Sequence, residues 1–160
     1  ERVKLFLAAV KETGARIVID SNSFTVADYL AVRPFLIKPN QEEISRYTGR
    51  TVDSLEAAEQ IANDLAKSGI ENVMVSMGGK GLAYAGNEGH FSIPEYKINV
   101  LSTTGAGDST VAGFLAGLYR GYSMTDTVKL AFAFGTASCM RRGTLPPLAD
   151  NVEEIFSSLK

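Results

Sequence analysis

The sequence predicts an α/β protein: a three-layer α/β/α unit on a mostly parallel sheet with a short antiparallel hairpin. Three observations predict it. Short β-branched runs alternate with amphipathic helical stretches through the first half of the chain, the pattern of strand-helix-strand crossovers in a parallel sheet. Two brief strands around Gly86-Asn87-Glu88-Gly89 then read as a hairpin added at a sheet edge. From Gly105 onward three apolar helical stretches follow one another, at 106–119, 125–140 and 152–159, with Gly121 and Gly143 as stops.

Val3, Phe6, Leu7 and Val10 recur at helical spacing and lead through Thr13-Gly14 into Arg16-Ile17-Val18-Ile19-Asp20, a strand ending in an acid. A second cycle has a helix over 26–32, a break at Pro34, and the strand Phe35-Leu36-Ile37. Asn40 is placed to cap the helix that begins Gln41-Glu42-Glu43. The third cycle predicts a helix over 54–67, a stop at Gly69, and a strand from Asn72 to Met77 that runs into Gly78-Gly79-Lys80-Gly81. No repeat, low-complexity tract or linker interrupts the chain, so residues 1–160 are expected to form one domain.

The composition, 45% hydrophobic and 21% charged over 160 residues, is that of a globular domain. A net charge of -2 with acids and bases intermixed leaves no basic stripe and argues against a nucleic-acid partner. The single cysteine, Cys139, rules out an internal disulfide and agrees with a reducing, cytoplasmic setting. Apolar stretches reach about half of the ~20 residues that a membrane-spanning helix needs, so no membrane partner is expected. The chain opens on a helical pattern with neither cap residue nor initiator methionine, and its start is expected to have been cut from something longer.

The segment Leu101-Ser102-Thr103-Thr104-Gly105-Ala106-Gly107-Asp108-Ser109 places a glycine turn at the start of a long apolar helix. Amides at such a start lack intrahelical partners and lie at the positive end of the helix dipole, so they can hold a phosphate. A carboxylate in such a turn repels the anion unless a task justifies it, such as accepting the proton of an attacking alcohol. Two readings of Asp108 stand side by side, helix cap and catalytic base. Neither a P-loop nor a Gly-x-Gly-x-x-Gly dinucleotide turn is present.

Residues 102–114, Ser-Thr-Thr-Gly-Ala-Gly-Asp-Ser-Thr-Val-Ala-Gly-Phe, resemble the carboxyl-terminal signature of the PfkB-type, or ribokinase-like, carbohydrate kinases. The resemblance covers essentially the whole chain. It implies a ribokinase-like fold with ATP and Mg²⁺ as cofactors, an anion hole at Gly105, Ala106 and Gly107, and Asp108 as the base. Lys38-Pro39-Asn40-Gln41-Glu42-Glu43 resembles the family's Asn-x-x-Glu motif. That implies Asn40 and Glu43 organising Mg²⁺ and nucleotide phosphates through water, although the same pair suits a plain helix start. Lys38 reads either as a phosphate contact or as a solvated lysine at a strand end.

Val75-Ser76-Met77-Gly78-Gly79-Lys80-Gly81 resembles the family's nucleotide-binding Ser-x-Gly-x-x-Gly loop, which makes Ser76, Gly78 and Gly81 nucleotide-binding candidates. A glycine cluster before a hairpin is also an ordinary turn. Segment 134–144 corresponds to the family's late region, where Thr136 is a nucleotide candidate. By alignment to the family's motifs the resemblance implies a K⁺ site around Ser102, Thr104, Ser138, Arg141 and Gly143, residues that packing and capping explain about as well. Cys139 reads as a small core residue and His90 as surface.

Where many family members carry Asp, this chain has Ser102. In that it resembles the phosphosugar branch, the 1-phosphofructokinases and tagatose-6-phosphate kinases. The implied reaction is ATP-dependent phosphorylation of a ketohexose phosphate, fructose 1-phosphate or tagatose 6-phosphate, to a bisphosphate. The alternatives are a kinase of another small alcohol and a nucleotide-binding module without catalysis. The family's amino-terminal half, with most sugar contacts and a lid that often makes a homodimer, has no counterpart here, so the fragment alone is expected to be inactive.

Overall fold

The computed structural model describes residues 2–160, and Glu1, where the uncapped helical pattern begins, lies outside the described residues. The chain divides into two compact units, one ending at Ser92 and one beginning at Ile93.

The first unit is built on a mixed sheet. Strand β1 (Val18–Ile19) pairs in parallel with β2 (Leu36–Ile37), and β2 in parallel with β3 (Asn72–Ser76). Strand β4 (Gly81–Gly86) runs antiparallel to β3, from Asn72 opposite Gly86 to Ser76 opposite Leu82. Its other neighbour is β5 (Gly89–Pro94), reached through the two residues Asn87-Glu88, a connection that only antiparallel strands can use. The sheet order β1-β2-β3-β4-β5 follows the chain, as expected for successive crossovers closed by a hairpin.

Local chemistry sets the crossovers. Helix α2 (Val26–Val32) starts at Thr25, whose hydroxyl accepts from the Asp28 amide while the Asp28 carboxylate accepts from the Thr25 amide. It stops at Arg33, held in the left-handed region (φ 48°) just before Pro34. Helix α3 (Gln41–Thr48) repeats this reciprocal cap with Asn40 and Glu43 and ends at Gly49 (φ 68°). Helix α4 (Leu55–Lys67) is capped by Ser54 and packs on β3 and β4. Helix α1 (Arg2–Glu12) meets the core only through its carboxyl half: Leu7 and Val10 pack inward, whereas Val3 and Phe6 of the expected apolar face are exposed.

Ile17, Ile19, Ile37, Val73, Val75, Ala83 and Ala85 share a core with Ala58, Ile61, Ala62 and Leu65 of α4. Leu36, Met74 and Tyr84, of opposite parity along their strands, are buried as well, so both sheet faces are covered, as parallel sheets require. Buried among them, the Tyr84 hydroxyl donates to Asn72 Oδ1 at 2.8 Å, and Asn72 Nδ2 donates to the Phe35 carbonyl at 2.9 Å. Burial pushes the Tyr84 phenol up to about 12, helped by the charge of Glu88. The stability that this neutral phenol contributes is complete below 10.0, its ordinary value, and is lost as pH rises toward about 12. Tyr84→Phe leaves Asn72 Oδ1 without a donor, and urea unfolding is expected to show a loss of about 1–2 kcal/mol.

The second unit is helical: α5 (Ala106–Tyr119), α6 (Met124–Ser138) and α7 (Ala149–Ser158). Helices α5 and α6 approach closely because α5 presents Gly113 and Gly117 to its neighbour. A Cβ at Gly117 would lie 2.8 Å from the Cα of Thr127. The Tyr122 and Phe156 rings stack at 5.9 Å and join the stretch between α5 and α6 to α7. Among the described residues no helix is long and apolar enough to cross a membrane.

Candidate functional site

In the first unit the expected chemistry gathers where the parallel strands end, the edge at which open α/β sheets collect ligands. Asn40, beyond the end of β2, forms a parallel bridge with Ser76, the last residue of β3, and the Ser76 amide donates to the Pro39 carbonyl at 3.0 Å. The Asn-x-x-Glu segment and the Ser-x-Gly-x-x-Gly loop, 36 positions apart, are therefore neighbours.

Asn40 is exposed, its Oδ1 accepting from the Glu43 amide at 2.9 Å while Glu43 Oε2 accepts from the Asn40 amide at 3.0 Å. The helix-start reading of this pair is thus real, and it leaves the Glu43 carboxylate fixed at the strand ends. No group of three or more His, Cys, Asp or Glu is assembled among the described residues. A cation here would rest on one or two side chains and water, which suits Mg²⁺.

Lys38 is not a solvated lysine. Its side chain is 5% exposed and its ammonium lies 3.2 Å from Asp20 Oδ2, at the end of the neighbouring strand. A buried ammonium needs such a partner. Asp20, which ends the first β-branched run, is a member of this cluster that sequence reasoning left without a role. The signal was present: an acid closes one parallel strand and a lysine closes the next.

The Ser76–Gly81 loop folds as a single 3-10 turn, Gly78–Lys80, closed by a 2.9 Å bond from the Met77 amide to the Gly81 carbonyl. Gly78 (φ 58°) and Gly81 (φ 121°) occupy backbone regions that side chains rarely adopt, which explains both motif glycines. Lys80 turns away to the Asp53 carbonyl at 2.8 Å. A shallow groove of about 740 Å³ over Gln41, Ser45, Arg46, Arg50 and Asp53 contains none of the candidates.

In the second unit Gly105 (φ 84°) is the N-cap of α5, and no side chain caps this helix. Helices α2, α3, α4 and α6 each have a side-chain cap, whereas α5 and α7, whose N-cap is Leu148, start without one. No side chain caps this start, and although the Ala106 amide donates to the Thr103 carbonyl at 3.2 Å, the Gly105 and Gly107 amides at the positive end of the helix suit a phosphate group. Asp108 is exposed and is the third residue inside the helix, not its cap. The capping reading is thereby excluded.

The Leu101 and Ser102 amides donate to the Cys139 carbonyl at 2.8 and 3.3 Å, which joins the segment before the glycine turn to the end of α6. Thr144 lies across Gly105, where an added Cβ would meet it at 3.8 Å. Ser102, Thr104, Arg141 and Gly143 thus belong to adjoining segments, with Gly143 (φ 64°) at the bend. The Ser138 hydroxyl is buried and donates to the Gly135 carbonyl at 2.7 Å, so it is engaged within α6. Thr136 is half-buried in that helix. Burial pushes the Cys139 thiol up, keeping it protonated as a packing group. His90 is half-exposed and pairs with Glu59 at 2.7 Å.

The pfkB family carbohydrate kinase profile matches residues 3–151, and the chain belongs to that family. A 1-phosphofructokinase of Haemophilus influenzae is 40% identical over 129 residues, which is 80% of this chain and 41% of that protein. The phosphofructokinase-2 of Escherichia coli in complex with substrates and products superposes with a TM-score of 0.89 at 27% identity, over 99% of this chain and 52% of the other. The same enzyme in complex with potassium gives 0.84 at 26% identity, over 98% and 51%. The chain thus spans about half the length of the relatives it matches, and its α/β fold with a mixed sheet is theirs.

Proposed function

We propose that residues 1–160 are the carboxyl-terminal, nucleotide-binding part of a single ribokinase-like kinase domain. The longer protein transfers the γ-phosphoryl group of ATP to a ketohexose phosphate and yields a bisphosphate. The observation that carries this reading is the uncapped start of α5 with Asp108 exposed in its first turn. MgATP supplies the phosphoryl group and the charge neutralisation that goes with the metal. Asp108 takes the proton of the attacking sugar hydroxyl, and the amides of Gly105 and Gly107, joined by that of Ala106 when it leaves the Thr103 carbonyl, oppose negative charge developing on the transferred group.

Asn40 and Glu43 hold Mg²⁺ through water. Ser76, Gly78 and Gly81 line the nucleotide, with Thr136 a further contact, and Lys38, anchored by Asp20, supplies positive charge at the strand ends. A K⁺ site at Ser102, Thr104, Arg141 and Gly143 is supported by their adjoining segments and by a relative solved with potassium. Ser138 has the weaker claim, its hydroxyl being engaged inside α6. Similarity to a 1-phosphofructokinase favours fructose 1-phosphate over tagatose 6-phosphate. A cytoplasmic enzyme, homodimeric through a lid in the other half, completes the proposal.

The test is a substrate panel on the full-length protein with MgATP. Fructose 1-phosphate is expected to be used best and unphosphorylated sugars poorly. Turnover of a nucleoside with no phosphosugar accepted would remove the branch assignment, and no transfer to any alcohol would remove the kinase assignment.

A further inference from the structure

The end of β1 is held by an arrangement that the reaction outlined above does not use. Asp20 and Ser21 follow a two-residue edge strand, which by itself pins the chain weakly. The Ser21 carbonyl accepts two phenol hydrogen bonds, from Tyr47 at 2.8 Å and from Tyr29 at 3.2 Å. Among the described residues, these two are the hydrogen bonds that tie residues 21–24 to other elements. Tyr29 comes from α2, is 2% exposed and stacks on Phe24 at 5.5 Å. Tyr47 comes from α3 and meets the Tyr29 ring edge-on at 6.0 Å.

Tyr47 stands four residues after Glu43, on the same face of α3. One carbonyl therefore receives a phenol from each of two helices, and one of those helices carries the acidic residue of the Asn-x-x-Glu motif. Immediately before that carbonyl is Asp20, the partner of buried Lys38.

We propose that Tyr47 is a positioning residue for the metal-nucleotide edge: its hydroxyl, docked on the Ser21 carbonyl, locks α3 to the end of β1. The lock keeps the Asp20 carboxylate on Lys38 and the Glu43 carboxylate on the Asn40 amide in one arrangement. Tyr47 itself touches neither metal nor substrate. The inference rests on the reading that this edge takes MgATP.

The test uses Tyr47→Phe in the full-length protein, which removes one hydroxyl and retains the ring. The Mg²⁺ concentration for half-maximal rate, at saturating ATP and sugar phosphate, is expected to rise on the order of 10-fold, the lower end of what loss of an outer-shell partner costs a metal site. The kcat at saturating Mg²⁺ should stay within about twofold, because the proton-accepting carboxylate is elsewhere. In metal-free protein, amide exchange across residues 20–24 should quicken while that of β3 does not. A Mg²⁺ curve within twofold of wild type, with or without a lowered Tm, would overturn the positioning role and leave Tyr47 an ordinary packing residue. Unchanged exchange at 20–24 would overturn it equally. A wild-type protein that neither binds nor turns over MgATP would sink the functional reading together with this role, whereas a working kinase with an unmoved Mg²⁺ curve would sink the role alone.

Discussion

Asp108→Asn in the full-length protein is expected to lower kcat by ~10²-fold or more, the usual cost of removing a general base. The side chain has only a small structural part: it is exposed, is not the cap of α5, and is the third residue of a helix whose start has no side-chain cap. Its interaction with the helix dipole contributes about 0.3–1 kcal/mol, so Tm should move little. Nucleotide affinity should hold or tighten, because a negative charge leaves the vicinity of the phosphates. Phosphoryl transfer within a few fold of wild type would remove Asp108 from the chemistry and leave the glycine turn as a binding feature only.

The second large effect concerns the helix pair behind that turn. In a helix interior alanine is preferred over glycine by about 1 kcal/mol, so propensity alone predicts that Gly113→Ala stabilises the protein. Packing predicts the opposite. A Cβ at Gly113 would lie 2.8 Å from the Phe134 Cβ, 2.9 Å from the Ala131 Cα and 2.9 Å from the Leu130 carbonyl. Two of those atoms are backbone and cannot swing aside, so α5 and α6 must separate. Gly113→Val is expected to cost about 3 kcal/mol in urea unfolding, with Gly113→Ala intermediate. A Gly113→Ala protein more stable than wild type would mean that the helices do not meet at this residue.

The elements were legible because each carries its own local signal. Asn40 marks a helix start, Gly69 a helix end, and the short β-branched runs mark buried strands. The ordered motifs at Asn40–Glu43, Ser76–Gly81 and Gly105–Asp108 were readable for the same reason, being contiguous in the chain. What was not legible depends on pairing between distant residues. Neither reading of Lys38, phosphate contact or solvated strand-end lysine, included its partner Asp20, which is 18 positions away. The role of Ser21 lies in its carbonyl, which every residue type carries, so its sequence holds no hint of the two tyrosines that converge on it. The exposure of Val3 and Phe6 was hidden too, since helical spacing defines a face without saying how far along the helix that face is covered.

The bridge between Asn40 and Ser76 couples two motifs to a single register. Side chains on a strand alternate with a period of two, so a one-residue slip of β2 against β3 would turn every contact to the wrong side at once. The Asn-x-x-Glu segment and the Ser-x-Gly-x-x-Gly loop then share one reading frame, and neither can be tuned by insertion or deletion within these strands without displacing the other. Length variation should be purged between Leu36 and Asn40.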